Sequence, residues 1–122
     1  MKKSILVILT VSFITIACSK GGDDGGGGNG GGGGSVNCTG VPASFSANVN
    51  PIIQSTCATD VSCHGSGSAV GPGPLLTYTQ ISNARIAIKA AVANGTMPKT
   101  GTLSTAQKNT IICWVDGGGL NN

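Results

Sequence analysis

Between Phe45 and Val115 the apolar positions fall into three runs with helical spacing. Phe45, Val49, Ile52 and Ile53 stand at i, i+4, i+7 and i+8, one stripe of a helix. Pro51 interrupts that stripe. It has no N–H and a fixed φ, so the predicted helix is short, kinked or begins late with Pro51 near its first turn. It leads into Cys57. The second run is Ile81, Ala84, Ile88, Ala91 and Val92, with Arg85 and Lys89 on a neighbouring face. It follows Thr77-Tyr78-Thr79-Gln80, a capping-box pattern in which Thr caps and Gln reaches back. Gly95 supplies a stop, so a helix is predicted from about Tyr78 to Asn94. The third run is Leu103, Ile111, Ile112 and Val115, with Cys113 and Trp114 alongside. A second capping box, Ser104-Thr105-Ala106-Gln107, precedes it, and Gly117-Gly118-Gly119 ends it. Between the runs lie a Gly/Ser/Pro loop, Gly65–Pro74, and the loop Gly95–Gly101 with Met97-Pro98. No long stretch alternates between apolar and polar, and no internal repeat occurs. The expected class is all-α, three main helices with almost no sheet.

The first 35 residues read differently. Met1-Lys2-Lys3 is basic and Ser4–Ala17 is apolar. That stretch is shorter than the roughly 20 residues a membrane-spanning helix needs, and it fits a secretory signal over residues 1–17. It ends in Ala17-Cys18 and resembles a bacterial lipoprotein signal, with Thr15 where Leu is usual. The resemblance implies cleavage before Cys18, lipidation of that cysteine and a membrane anchor. Ser19–Asp24 resembles the acidic tracts that send some Gram-negative lipoproteins to the cell surface. The expected location is therefore the outer membrane, facing the periplasm or the cell surface. Gly21–Gly34 contains eleven glycines. Residues 18–35 are expected to be a lipid-anchor cysteine on a flexible linker, with a reach of about 20–25 Å.

Composition then narrows the picture. Of 122 residues, 36–122 remain to build a core, and only Phe45, Tyr78 and Trp114 supply aromatic rings to it. A domain near 80 residues generally needs a staple, a metal or a cofactor. There is no room for a dinucleotide fold with a substrate domain, nor for a multi-span membrane protein. The formal net charge is +3, of which Lys2 and Lys3 contribute two, so the exported part is near +1. Arg85, Lys89, Lys99 and Lys108 form no dense basic patch, which excludes a nucleic-acid surface. Charged residues make up 9% of the chain, well below the usual ~25%.

The chain has five cysteines. Assigning Cys18 to lipid leaves Cys38, Cys57, Cys63 and Cys113, an even number in an oxidising compartment. The stretch Cys57-Ala58-Thr59-Asp60-Val61-Ser62-Cys63-His64-Gly65 admits three chemistries. A Cys57–Cys63 disulfide would close a small loop and leave His64 a bystander. Zinc would take Cys57, Cys63 and His64 but would need a fourth ligand, with Cys38 or Cys113 the only thiols left. The third chemistry is haem attachment, for which Cys…Cys-His is the signature. Two thiols add to the two vinyl groups, and the adjacent histidine supplies an imidazole nitrogen to iron. His64 is the only histidine, and Met97 is the only methionine besides Met1. A methionine alone more often fills a core than binds iron.

Taken in order, these features resemble a small class I-type cytochrome c domain. They run from an N-terminal helix into Cys57…Cys63-His64-Gly65. Gly71-Pro72-Gly73-Pro74 and Leu75-Leu76 follow, then a middle helix, Met97-Pro98 and a last helix with Trp114. The resemblance covers residues from about Phe45 to Asn122. It implies a cytochrome c-like fold around one covalent haem c, attached through Cys57 and Cys63 and ligated by His64 and Met97. It implies that Pro72 or Pro74 supplies the carbonyl that holds the ring of His64. Leu75, Leu76, Tyr78, Ile88 and Trp114, most simply core residues, would wall the pocket. It also implies that the first and last helices touch, which would let Cys38 and Cys113 pair across a loop of about 75 residues. The spacer between the attachment cysteines departs from the family's usual two residues. Here it is five, Ala58–Ser62, with Asp60 expected at the tip of a bulge. The function so implied is a membrane-tethered mono-haem cytochrome c that passes single electrons between redox partner proteins of the cell envelope, with no catalysis of its own. The alternative is a haem-free surface module, stapled by Cys57–Cys63 and Cys38–Cys113, that binds a protein or glycan.

Overall fold

The computed structural model describes residues 35–122. The segment expected to be a signal (residues 1–17), Cys18 and the expected linker up to Gly34 lie outside the described residues. The described residues are helical, with no strand among them.

The first element begins as a π-helical turn, Phe45–Val49, and continues as α1, Asn50–Thr56, with Pro51 in the first turn of α1. The Asn50 N–H reaches back to the Phe45 carbonyl, one residue farther than in an α-helix. Proline lacks an N–H and its ring collides with the carbonyl four residues back, so the wider turn falls where an α-helix would be broken. Asn122 satisfies the opening N–H groups. Its side-chain oxygen accepts from Phe45 N at 2.7 Å, and its backbone oxygen accepts from Ser46 N at 2.8 Å.

Helix α2, Tyr78–Ala93, starts at a complete capping box: Gln80 N donates to Thr77 Oγ1, and Gln80 Oε1 accepts from Thr77 N. Asn94 is its C-cap, and Gly95 follows at φ +69°, the left-handed conformation that terminates helices at low cost for glycine. Helix α3, Thr105–Asp116, starts at the matching box of Ser104 and Gln107.

The core sits where the first and last helices and the start of α2 meet. Phe45 stands edge-on to Tyr78 with ring centres 5.0 Å apart, and packs at 5.6 Å against Trp114. Val49, Ile53, Ile81 and Ile111 are fully buried around them. Each such isoleucine contributes about 1.5–3 kcal/mol by leaving water. Trp114 Nε1 donates to Leu120 O at 2.9 Å and the Tyr78 hydroxyl to Gly119 O at 2.9 Å, so the chain after α3 is tied back onto the aromatic cluster. Cys38 and Cys113 form a disulfide that fastens the segment before the first helix to α3. Lys89 and Asp116 pair across α2 and α3; both are substantially exposed, so this pair adds little. Among the described residues no helix is long and apolar enough to cross a membrane.

Candidate functional site

Cys57 caps α1, with its N–H on Ile53 O at 2.9 Å, and its side chain is buried. The chain then makes a tight reversal. Asp60 O accepts from Cys63 N at 3.1 Å and from Gly65 N at 2.7 Å, and the Asp60 carboxylate accepts from Ser62 N at 2.7 Å. The reversal lets His64 N reach Cys57 O at 2.9 Å. Leu75 N donates to His64 O at 2.8 Å, which pins the next loop alongside.

His64 is buried, 7% exposed. Its Nδ1 lies 3.1 Å from Gly73 O. A ring nitrogen facing a carbonyl oxygen carries the proton, so Nδ1–H donates to Gly73 O, and in the neutral ring this is the tautomer that leaves the lone pair on Nε2. The holding carbonyl therefore belongs to Gly73, between the two prolines, and not to Pro72 or Pro74. Gly73 has φ +84°, which a proline cannot adopt, and that rotation sets the direction of the peptide. Gly71 passes so close that a Cβ there would sit 3.3 Å from His64 Cε1.

Beside His64 is a cavity of about 250 Å³. Cys57, Cys63 and His64 form one wall, and Val70, Pro72 and Leu75 a second. Ala87, Ile88, Ala91 and Val92 of α2 make a third, and Met97, Pro98, Lys99 and Thr100 of the following loop complete it. That loop folds back on the end of α2, with Thr96 N on Ala91 O at 2.9 Å. The lining is mainly apolar, and Lys99 is its one charged residue.

The structure thus brings Cys57, Cys63, His64, Met97, Pro72 and Leu75 around one cavity. Pro74, Leu76, Tyr78 and Trp114 are not among its lining residues. Pro74 faces a separate groove with Gln80 and Asn83, and Leu76 is 40% exposed just before the Thr77 cap. Tyr78 and Trp114 are spent on the helix crossing, because the apolar stripe of α2 is divided. Its start, at Tyr78, packs on Phe45, and its later part, Ile88 to Val92, lines the cavity. The wall that sequence reading missed is Ala87 with Ala91, one helical turn apart. Two small side chains next to Ile88 leave space beside the helix, and that spacing was the available signal.

Cys57 and Cys63 are separate thiols. Burial pushes the Cys57 thiol above its ordinary value; contact with the Thr56 hydroxyl opposes this, and the neighbouring Cys63 adds to it. Hydrogen bonds from Ser62, side chain and then backbone N–H, hold the Asp60 carboxyl below the ordinary aspartate value, with Cys63 N–H and Thr59 assisting against slight desolvation.

Among the described residues no three His, Cys, Asp or Glu side chains converge as ligands of one metal ion. Two thiols, an imidazole whose Nδ1 faces a carbonyl and a thioether thus line one mainly apolar cavity. No known family model, curated protein or solved structure matches this chain.

Proposed function

We propose that this protein is a mono-haem c-type cytochrome, held at the cell envelope by a lipid on Cys18 and a glycine-rich tether, which passes single electrons between redox partner proteins. The observation that carries the reading is the placement of buried His64, with Nδ1 on Gly73 O, on the same cavity as Met97 and the thiols of Cys57 and Cys63. Haem supplies the one-electron chemistry of its iron. The chain supplies everything that fixes and tunes it. Cys57 and Cys63 would hold the group covalently. Gly73 orients His64 through Nδ1, so that Nε2 would be its ligating atom. Met97 would offer a soft sulfur as a second ligand, which would favour the reduced state and raise the potential. Leu75, Ile88 and Val92 keep water from the ligated centre. With His64 and Met97 both serving as ligands, the group would be left without an open position for a substrate.

The test is expression of the full chain in a bacterial host that carries cytochrome c maturation machinery, followed by visible spectra of denatured and native protein. Haem that survives denaturation, with a sulfur-to-iron band in the oxidised native protein, is the expected result. Covalent haem in a low-spin protein without that band would remove Met97 from the ligand set. A colourless protein with a Cys57–Cys63 disulfide would replace the reading with the haem-free binding module.

A further inference from the structure

The two attachment cysteines are held in different ways. The place of Cys57 is set by α1, through its N–H on Ile53 O and its burial. Cys63 has no helix behind it. Its N–H is shared between the carbonyl of Asp60 at 3.1 Å and the Oδ1 of Asp60 at 3.2 Å. The same Oδ1 takes Ser62 N at 2.7 Å, and the same carbonyl takes Gly65 N at 2.7 Å. Thr59 Oγ1 donates to the other carboxylate oxygen at 3.3 Å. A Cβ on Gly65 would lie 2.7 Å from Asp60 C and O, so only glycine closes this turn. Asp60 forms no ion pair among the described residues. Its acceptor oxygens are taken by N–H groups and hydroxyls of its own turn.

We infer that Asp60 is the positioning residue for the second thioether: it winds the five-residue spacer so that Cys63 meets the cavity. This rests on the cytochrome reading. Each attachment adds a thiol S–H across a vinyl C=C. A sulfur–carbon bond forms, the hydrogen goes to the terminal vinyl carbon, nothing leaves and no oxidant is consumed. The positions of the two vinyl carbons are rigid, so a sulfur that wanders does not react. A spacer three residues longer than the family's usual one needs its own internal fastening to hold Cys63 in place, and Asp60 is that fastening. Its loss leaves the Cys57 bond intact and the Cys63 bond unmade.

The experiment compares the full wild-type chain with Asp60→Ala and Asp60→Asn, all produced with the maturation machinery. Three readouts are taken: the α band of the reduced pyridine adduct of the haem, iodoacetamide labelling of remaining thiols mapped by peptide mass, and far-ultraviolet circular dichroism. A vinyl group left unsaturated extends the conjugation and moves the band to longer wavelength. Wild type is expected to show two thioethers and no label. Asp60→Ala is expected to show the red-shifted band and label at Cys63 only, with unchanged helix content. Asp60→Asn keeps an oxygen acceptor and should restore the wild-type band. Two thioethers in Asp60→Ala, or label at Cys57 instead, overturns the inference and leaves the cytochrome intact. Loss of helix in Asp60→Ala also overturns it, since Asp60 would then hold the fold and not the attachment. Wild type without covalent haem removes the cytochrome reading together with this inference.

Discussion

Removing the Cys38–Cys113 disulfide should take away a large part of this domain's stability. The bond joins residues 75 apart in sequence. In the chain-entropy description a cross-link over that separation restricts the unfolded ensemble by about 4.5 kcal/mol at 25 °C. A domain of this size has a total stability on the order of 5–10 kcal/mol. Its core is built on three aromatic rings and short helices, so few other terms can compensate. The perturbation is the double variant Cys38→Ala/Cys113→Ala, which leaves no partnerless thiol to attack Cys57 or Cys63. Because Cys113 is buried, its truncation adds a packing loss of up to about 1 kcal/mol. Wild type unfolded in the presence of a reductant loses the cross-link without that packing loss and isolates the entropic part. The assay is urea unfolding followed by Trp114 fluorescence. With a slope of about 1–1.5 kcal/mol/M, the reduced wild type should unfold at a urea concentration roughly 3–4.5 M lower. A fall of less than about 1 M would refute the reasoning: the unlinked chain would then be compact before folding, with little entropy for the bond to remove.

Other expectations follow from the site. In protein made without haem attachment, iodoacetamide at mildly alkaline pH should label Cys63 faster than buried, protonated Cys57, and equal rates would contradict the burial argument. Because the folded state raises the Cys57 pKa, its contribution is fully present below the ordinary value of 9.0 and is lost as pH rises through the folded value, which alkaline unfolding of the same protein measures. The Asp60 carboxyl is shifted the other way. Its turn should be intact above the ordinary value of 3.8 and loosen as pH falls through the lowered one, seen as loss of exchange protection at the Ser62 and Cys63 amides and absent in Asp60→Asn. Tyr78→Phe deletes the hydroxyl that donates to Gly119 O and should cost about 0.5–1.5 kcal/mol in thermal or urea unfolding. Lys99→Gln removes the one charge on the cavity wall and should lower the midpoint potential of the holoprotein, since a nearby cation disfavours the oxidised state; an unchanged potential would place Lys99 outside the field of the iron.

Local chemistry was readable residue by residue. The two capping boxes, Thr77 with Gln80 and Ser104 with Gln107, start helices where they stand because their hydrogen bonds span only three residues. Gly95 stops α2 for a similarly local reason. Pro51 announced a disturbance, but not its form. A π turn, a kink and a late start all relieve the same clash, and the choice among them falls to packing of Phe45 and Val49 against α3.

The types of group the site would need were also in the sequence: two thiols beside the only histidine, and a methionine before a proline. What the sequence left undecided depends on direction. Whether Gly73 or a neighbouring proline holds His64 turns on one peptide's orientation. Tyr78 and Trp114 have the same character as cavity-wall residues, and their role follows from which part of α2 meets Phe45 and which part meets the Met97 loop. The capped starts of α2 and α3, their glycine stops and the reactive groups depend on neighbours a few bonds away, so they can be read along the chain. Which groups share a cavity depends on how three short helices cross and how the Asp60 turn closes, contacts that exist only once the chain has folded.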